Sequence, residues 1–226
     1  MLYYIIMKHQ EFKTIRVHNI NWLKNASANG GAQNMIIDSM QQGRLAITAQ
    51  HNKYGRLYAD VSPSEFLKLI KNNIYICEII SDKHYPHKLY FDIDGTTETT
   101  QTNIQKELEK IFVSPDMAIS GSETDTKNSY HICLNNYMIY NKEGSEKMKL
   151  IIDYLKEFVE PATDRKVYNK SQLMKTIHQS KPLDKGKRLQ EIILNENEEK
   201  HIITSFFKED AIDINDVKFN DEITSY

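Results

Sequence analysis

Apolar and polar positions alternate most clearly over residues 88–94, an apolar strand pattern that ends in Asp92 and Asp94. Because side chains alternate sides along an extended strand, we expect these two carboxylates to project from one face, with apolar neighbours packed behind them. Two adjacent anions repel each other unless a cation lies between them, and carboxylate oxygens suit Mg²⁺ or Mn²⁺ better than Zn²⁺. The pattern therefore predicts a divalent-metal site, with a solvated strand end as the alternative.

The clearest helix start lies at residues 62–65, which read Ser-Pro-Ser-Glu. Serine at the N-cap, proline at the first helical position and glutamate at the third form a capping-box pattern. We expect a helix from there through Ile70, followed by a mostly buried strand over residues 74–80. Earlier in the chain, the small residues and paired glycines of residues 25–31 predict a loop at a hairpin tip.

From Lys88 onward, the pattern predicts strand, helix, strand, strand, helix and strand in that order. This order is typical of a ferredoxin-like or RNA-recognition-type palm, so the predicted fold class is α+β. We expect an N-terminal α/β lobe of residues 1–85, packed on a catalytic palm of residues 86–195 and followed by an acidic C-terminal extension of residues 196–226. The predicted palm elements are residues 88–94, about 101–112, 116–120, 128–135, 144–159 and 188–194.

Composition indicates a globular chain whose partners must be recognised locally. A net charge of -2 over 226 residues gives no global attraction to nucleic acid or to an anionic membrane, so any such partner needs a local basic patch. The two cysteines, Cys77 and Cys133, lie in apolar runs, which excludes a four-cysteine zinc site and argues against a disulfide framework. With no export or membrane segment evident, we expect an intracellular protein, in a compartment that the sequence does not distinguish.

A second polar set opens the strand predicted over residues 128–135. Lys127, Ser129 and His131 are spaced two residues apart, so one strand face carries an ammonium, a hydroxyl and an imidazole. These groups suit phosphate oxygens, and a central palm strand would put them beside Asp92 and Asp94. An ordinary amphipathic strand is the alternative explanation.

The third feature is a basic segment over residues 164–188 that begins with Asp164. Between Arg165 and Arg188 there are eight lysines or arginines and a single acid, Asp184. Such local clustering in a nearly neutral chain is the electrostatic pattern expected for binding a triphosphate or a nucleic-acid backbone. A solvated basic face is the competing interpretation.

In this order, the three features resemble the catalytic core of the archaeo-eukaryotic primase superfamily, in particular its primase-polymerase branch from eukaryotes and large DNA viruses. The resemblance covers roughly residues 85–195. The family's acid-x-acid motif is matched by Asp92-Ile93-Asp94, its Ser-x-His motif by Ser129-Tyr130-His131, and its later acid by Asp164. Val167-Tyr168, Lys175 and Ser180-Lys181 then match the positions that follow this acid.

The resemblance implies template-directed transfer of a nucleotide from an NTP or dNTP, with release of pyrophosphate, in DNA replication. By this resemblance, Asp92, Asp94 and Asp164 are catalytic and hold two Mg²⁺ or Mn²⁺ ions. The incoming triphosphate would be bound by Lys127, Ser129, His131, Lys175 and Lys181.

Single-stranded DNA template and primer are the implied partners, and no membrane is involved. The family often has arginine at the position of Lys175 and a basic residue near Gln172, so the phosphate contacts of this chain are expected to differ. The family's zinc-binding appendage is not matched, and a separate replicative helicase is a candidate partner.

Two other functions remain open from the sequence. Residues 91–96, Phe-Asp-Ile-Asp-Gly-Thr, also resemble the signature of haloacid-dehalogenase-type phosphatases, in which Asp92 would be the nucleophile and Asp94 the general acid. That family needs a doubly wound sheet and a later acid pair. The other alternative is a non-catalytic module that binds single-stranded nucleic acid by charge and by base stacking on tyrosines. The tyrosines considered for stacking are Tyr85, Tyr90, Tyr130 and Tyr168.

Overall fold

The computed structural model describes residues 12–25, 31–71, 75–95, 101–158, 163–169, 171–179, 190–219 and 223. Within these ranges the chain forms two mainly antiparallel sheets and four α-helices, which confirms the predicted α+β class. None of the helices in the described part of the chain combines the length and hydrophobicity needed to cross a lipid bilayer. Neither Cys77 nor Cys133 forms a disulfide, and both are buried.

The elements are numbered along the chain. The strands are β1 (Phe12–Val17), β2 (Ile20–Asn25), β3 (Leu45–His51), β4 (Gly55–Val61), β5 (Tyr75–Ser81), β6 (His87–Gly95), β7 (Met117–Glu123), β8 (Asn128–Ile139), β9 (Ser171–Lys175), β10 (Glu191–Leu194) and β11 (Ile212–Asp213). The helices are α1 (Ala32–Ser39), α2 (Pro63–Ile70), α3 (Gln101–Ile111) and α4 (Lys142–Phe158), and short 3-10 helices occupy Arg165–Tyr168, Glu198–His201 and Ile214–Asp216.

The first sheet has the strand order β1-β2-β4-β3-β5-β9, and all of its pairings are antiparallel. Trp22, Leu45 and Phe66 are buried together in its hydrophobic core. The predicted helix start is confirmed, because the Glu65 backbone N–H donates to Ser62 Oγ over 3.3 Å and the Ser62 backbone N–H donates to Glu65 Oε2 over 2.8 Å. This reciprocal pair satisfies backbone donors at the start of α2 that the helix itself cannot.

Helix α1 was not predicted. It begins directly after Gly31, where the sequence indicated a hairpin tip, and residues 26–30 of that prediction lie outside the described residues. The helix buries Ala32, Ile36 and Ile37, which are spaced to share one helical face. Gly31 therefore leads into a helix rather than into the next strand.

The second sheet contains the predicted palm strands in the order β6-β8-β7-β10, with β11 paired in parallel to the far end of β8. Strand β8 is central, and β6 and β7 both run antiparallel to it. Helices α3 and α4 contribute Leu108, Met148, Ile151 and other side chains to the same buried cluster as these strands. The side chains that concern function lie where β6 and β8 pair.

Strand β9 belongs to the first sheet. This strand lies within the range predicted for the palm, yet it pairs with β5 and forms the last strand of the first sheet, with Cys77 opposite Lys175. Its Met174 is buried in the second-sheet cluster and its Leu173 packs beside the cluster under α1, so β9 joins the two sheets. Residues 164–175 belong to the predicted basic segment of residues 164–188, in which no strand was predicted.

The acidic C-terminal extension packs into the hydrophobic core, which its composition did not predict. Ile202, Ile203, Ile214 and Ile223 are each almost completely buried in the two main hydrophobic clusters. The Glu78 carboxylate of β5 accepts hydrogen bonds from backbone N–H groups of Ile203 and Thr204. This segment therefore packs between the sheets and fixes them to each other.

Candidate active site

The register between β6 and β8 brings the two strongest sequence motifs together. Asp92 lies opposite His131, and Asp94 lies opposite Ser129. His131 Nε2 is 3.4 Å from Asp92 Oδ1, and Ser129 Oγ donates a hydrogen bond to Asp94 Oδ1 over 2.7 Å. The predicted alternation of side chains on both strands is therefore confirmed, and the four groups share one face of the sheet.

Lys127 supplies a cation at the edge of this face. Its Nζ is 2.7 Å from Asp94 Oδ2, and both side chains are partly exposed, at 34% and 53%. The carboxylate of Asp94 thus has a positive partner as well as the Ser129 hydroxyl. Screening by water weakens such an exposed pair, so the ammonium can exchange this partner for another anion at small cost.

The third predicted acid, Asp164, lies next to Asp92. Thr163 forms an antiparallel bridge with Ile93, and the Asp164 backbone N–H donates to the backbone carbonyl of Asp92 over 2.8 Å. The Asp164 carboxylate accepts from the backbone N–H of Lys166 over 2.8 Å and caps the 3-10 helix Arg165–Tyr168. The acid is therefore next to β6, with its own side chain engaged in a local cap.

Strands β6 and β8 border a cleft of about 150 Å³ between the two sheets. Asp92, Asp94, Ser129 and His131 line one side of it, and β9 adds Lys175. The first sheet contributes the opposite side with Thr48, Ala49, Gln50, Arg56, Tyr75 and Cys77. Sequence reasoning did not identify Gln50 or Tyr75, and no local motif marks them, because their place at the cleft depends on how distant strands pair.

The basic segment is only partly directed at this cleft. Lys175 lines it, whereas Arg165 forms an ion pair with Asp153 of α4, with Nε 2.8 Å from a carboxylate oxygen. Lys181 lies outside the described residues, as do Lys170 and residues 182–189. The role predicted for Lys181 at the triphosphate stays a prediction.

The tyrosines considered for base stacking are mostly buried. Tyr90, Tyr130 and Tyr168 are 1%, 1% and 5% exposed, so their ring faces are not accessible to a base. Tyr90 and Tyr168 instead stack on each other with ring centroids 4.7 Å apart. Stacking of nucleic-acid bases on these three residues is therefore excluded in this structure, and of the four only Tyr85 is partly exposed.

The environment of Asp92 and Asp94 also differs from that expected of a haloacid-dehalogenase-type phosphatase. The prediction for that family was a doubly wound sheet, which is built of parallel strands. In this chain the strand that bears both aspartates pairs antiparallel with β8, in a sheet whose only parallel pairing among the described residues is the short β11. The phosphatase alternative loses its structural support.

The donor chemistry of the three aspartates fits a hard divalent cation, since carboxylate oxygens are the ligands that Mg²⁺ and Mn²⁺ prefer. Asp92 and Asp94 project into the cleft, and Asp164 is adjacent to Asp92 through the backbone. Among the described residues, however, no three His, Cys, Asp or Glu side chains are gathered closely enough to hold an ion. The Lys166 N–H bonds to Oδ1 of the Asp164 carboxylate, and the second oxygen of that carboxylate could bind an ion without breaking this cap.

The cleft thus combines paired carboxylates, a hydroxyl and an imidazole from the second sheet with two cations, Arg56 and Lys175, from the first. Comparison with protein-family models and with curated proteins gives no match for this chain. The chemistry of this cleft is therefore the basis on which a function is assigned.

Proposed function

We propose that the protein is a nucleotidyltransferase of the primase-polymerase type. It would transfer a nucleotide from an NTP or dNTP to a 3′-hydroxyl on a single-stranded DNA template, with pyrophosphate leaving. The observation that carries the proposal is the hydrogen bond from the Asp164 backbone to the Asp92 carbonyl, which joins the late acid to the acid-x-acid strand. A late acid held next to the strand that carries the acid-x-acid motif is expected for this activity, and an ordinary antiparallel sheet does not need it.

In this proposal, β6, α3, β7, β8 and α4 are the RNA-recognition-motif-like palm, and the first sheet covers the cleft. β6 and β7 are connected through α3 and are separated in the sheet by β8, as in the split arrangement of that fold. The segment at Thr163 and Asp164 lies along the other edge of β6. β10 pairs instead with β7, so the palm is a variant in its last strand.

The residues of β8 and β9 would bind the triphosphate. The His131 imidazole is a directional donor, the Ser129 hydroxyl would become one by turning from Asp94 to the triphosphate, and Lys127 and Lys175 supply charge. Lys127 compensates Asp94 in the free protein, and an incoming triphosphate would offer its ammonium a second anionic partner. These groups would hold the α-phosphorus in line with the attacking hydroxyl, because phosphoryl transfer depends mainly on positioning and charge neutralisation.

Asp92, Asp94 and Asp164 would hold the divalent ions, which when bound supply activation of the 3′-hydroxyl and neutralisation of the triphosphate. His131, 3.4 Å from Asp92, would fix the orientation of that carboxylate. Ser129 does the same for Asp94 through its hydrogen bond of 2.7 Å. The strand pairing therefore orients the two carboxylates before any substrate enters.

The test is extension of a templated primer by Asp92→Asn and Asp164→Asn variants, with Mg²⁺ or Mn²⁺ present. Asparagine keeps the shape of each side chain and removes its charge, so we expect extension to fall by about a hundredfold or more while the folded structure is kept. Glu157→Gln is the matched control, since it removes an exposed carboxylate at the end of α4. Extension by both aspartate variants at the wild-type rate would refute the proposal.

The same assay separates the proposal from a non-catalytic binding module. A binding module would retain single-stranded DNA without making any metal-dependent product, in the wild-type chain as well as in the variants. A parallel reaction without primer, run with each nucleotide class, distinguishes a primase from an enzyme that only extends.

A further inference from the structure

We infer that Tyr168 is a positioning residue that holds Asp164 against Asp92 and thereby sets the affinity of the site for divalent ions. Only the part of this inference that concerns metal binding rests on the proposed function. The geometric part concerns a contact between the 3-10 helix Arg165–Tyr168 and β6 that no sequence motif of the site assigns.

The contact is made by two buried tyrosines. The Tyr168 hydroxyl donates to the backbone carbonyl of Tyr90 over 2.6 Å and accepts from the Tyr90 backbone N–H over 3.0 Å. In return, the Tyr90 hydroxyl donates to the backbone carbonyl of Val167. The two rings stack at 4.7 Å, so each tyrosine binds the backbone of the other's segment while packing on the other's ring.

This contact can affect the site because of where it lies on β6. Residues two apart on a strand present their backbone groups on the same edge, and Tyr90 is two residues before Asp92. The Tyr168 hydroxyl bonds to the backbone groups of Tyr90, and the Asp164 N–H donates to the Asp92 carbonyl. These are therefore consecutive contacts along one edge of β6. The bridge between Thr163 and Ile93 extends the same series. Residues 163 and 164 therefore pair with β6 as a strand would, and the Tyr168 hydroxyl, at the end of the 3-10 helix that follows, makes a further contact along the same edge.

The hydroxyl is the specific element of the contact. A phenylalanine at position 168 would fill the same volume and keep the ring stacking, yet it would leave both backbone groups of Tyr90 without this partner in a buried place. Burial raises the pKa of the Tyr168 hydroxyl, so it stays protonated and able to donate at any physiological pH. On the far side, the ion pair between Arg165 and Asp153 joins the same 3-10 helix to α4. Asp164 is thus held between two contacts, one from the Tyr168 hydroxyl to β6 and one from Arg165 to α4.

The experiment compares Tyr168→Phe with Tyr137→Phe. Tyr137 is a matched control because it is buried in the same hydrophobic cluster and its hydroxyl donates to a backbone carbonyl, that of Val113, over 2.9 Å. Two quantities are measured for each variant. One is hydrogen exchange at the Asp164 amide by NMR, and the other is binding of Mn²⁺ alone, followed by its electron paramagnetic resonance signal.

We expect Tyr168→Phe to speed exchange at the Asp164 amide and to weaken Mn²⁺ binding by about tenfold or more, as for other residues that orient metal ligands. Tyr137→Phe should change neither, although it also removes a tyrosine hydroxyl that donates to a backbone carbonyl. Should Tyr168→Phe fail to fold, Tyr90→Phe removes the reciprocal bond to Val167 and is measured in the same way.

The outcomes separate this inference from the proposed function. An Asp164 amide that keeps its protection in Tyr168→Phe overturns the positioning role, whatever happens to Mn²⁺. Equal weakening of Mn²⁺ binding in both phenylalanine variants overturns it as well, because the effect would then be one of general stability. A wild-type chain that binds no Mn²⁺ refutes the metal part together with the proposed function, while the exchange measurement still decides the geometric part.

Discussion

His131 faces Asp92 across the β6–β8 pair, with Nε2 3.4 Å from Oδ1. The two side chains come from different strands and from motifs that the sequence separates by more than thirty residues. Because the imidazole is only 14% exposed and the carboxylate 25%, each restricts the orientation of the other. A substitution at either residue should therefore change the orientation of the other side chain.

The first prediction concerns His131→Asn. Asparagine is too short to donate to a phosphate from the same position, so the KM for nucleotide should rise by about tenfold or more, which corresponds to one lost hydrogen bond to a charged group. His178→Asn is the control, because His178 Nε2 is also 3.4 Å from a carboxylate, that of Glu198, but lies outside the cleft. Nucleotide titrations of primer extension measure both variants, and an unaltered titration for His131→Asn would remove this residue from the substrate site.

The second prediction concerns the ion pair between Lys127 and Asp94. Lys127→Met removes the ammonium 2.7 Å from the Asp94 carboxylate, so Mn²⁺ added without nucleotide should bind more tightly, by less than about tenfold because the pair is partly exposed. The same change should weaken nucleotide binding. Calorimetric titration measures both, with Lys127→Arg as the control that keeps the charge. Weaker Mn²⁺ binding in Lys127→Met would contradict the idea that the lysine competes with the metal.

The third prediction concerns the glycine that packs behind the site. A Cβ added at Gly121 would lie 2.7 Å from a ring carbon of Tyr130 and 2.8 Å from the backbone oxygen of Ser129. Since the backbone of a central strand cannot move aside easily, Gly121→Ala should reduce the free energy of unfolding by about 1–3 kcal/mol. Gly31→Ala is the control, because nothing lies within 4 Å of its Cβ position. Urea unfolding compares the two, and equal midpoints would show that β8 can shift to accept the methyl group.

The fourth prediction concerns stability in mild acid. Burial lowers the pKa of His87 from 6.5 to about 4, so between these values the unfolded chain binds a proton that the folded chain does not. Stability contributed by the neutral imidazole is therefore complete above pH 6.5 and is lost as the pH falls towards 4, by at most about 3 kcal/mol.

His87→Leu is the variant that checks this sign. Leucine cannot bind a proton, so the free energy of unfolding should fall less between pH 6.5 and pH 4 than it does in the wild type. Burial also lowers the pKa of His201, which leaves a residual slope of the same sign in both proteins. Identical pH profiles from urea unfolding would show that His87 is accessible to protons in the folded state.

The local pattern of the sequence was sufficient for much of the site. The two-residue spacing of Asp92 and Asp94, and of Ser129 and His131, determines which face each side chain occupies, and the structure pairs these faces. The capping box at Ser62 was likewise predictable, because all of its partners lie within one helical turn.

What could not be predicted depends on contacts between distant segments. Gln50 and Tyr75 reach the cleft only because β3 and β5 pair and cover the second sheet, and neither residue has a distinctive neighbour in the sequence. Tyr90 and Tyr168 were interpreted as possible stacking platforms, because the sequence does not reveal that they are each other's partners. The position of Asp164 was predicted from the family resemblance, whereas the segment that supports it was not.

The pairing of β9 with β5 affects how the chain can fold while it is being synthesised. β5 is completed as an inner strand only when β9 reaches it, and Lys175 lies opposite Cys77, so this pairing must wait until nearly a hundred further residues have been synthesised. Pairings of such long sequence separation form slowly, because closing a long loop costs entropy before the contact is gained. During translation, the edge of β5 is therefore open to other strands until β9 has been made. An N-terminal fragment that stops before β9 would emerge with that edge uncovered, which makes it prone to self-association rather than a folding unit in its own right.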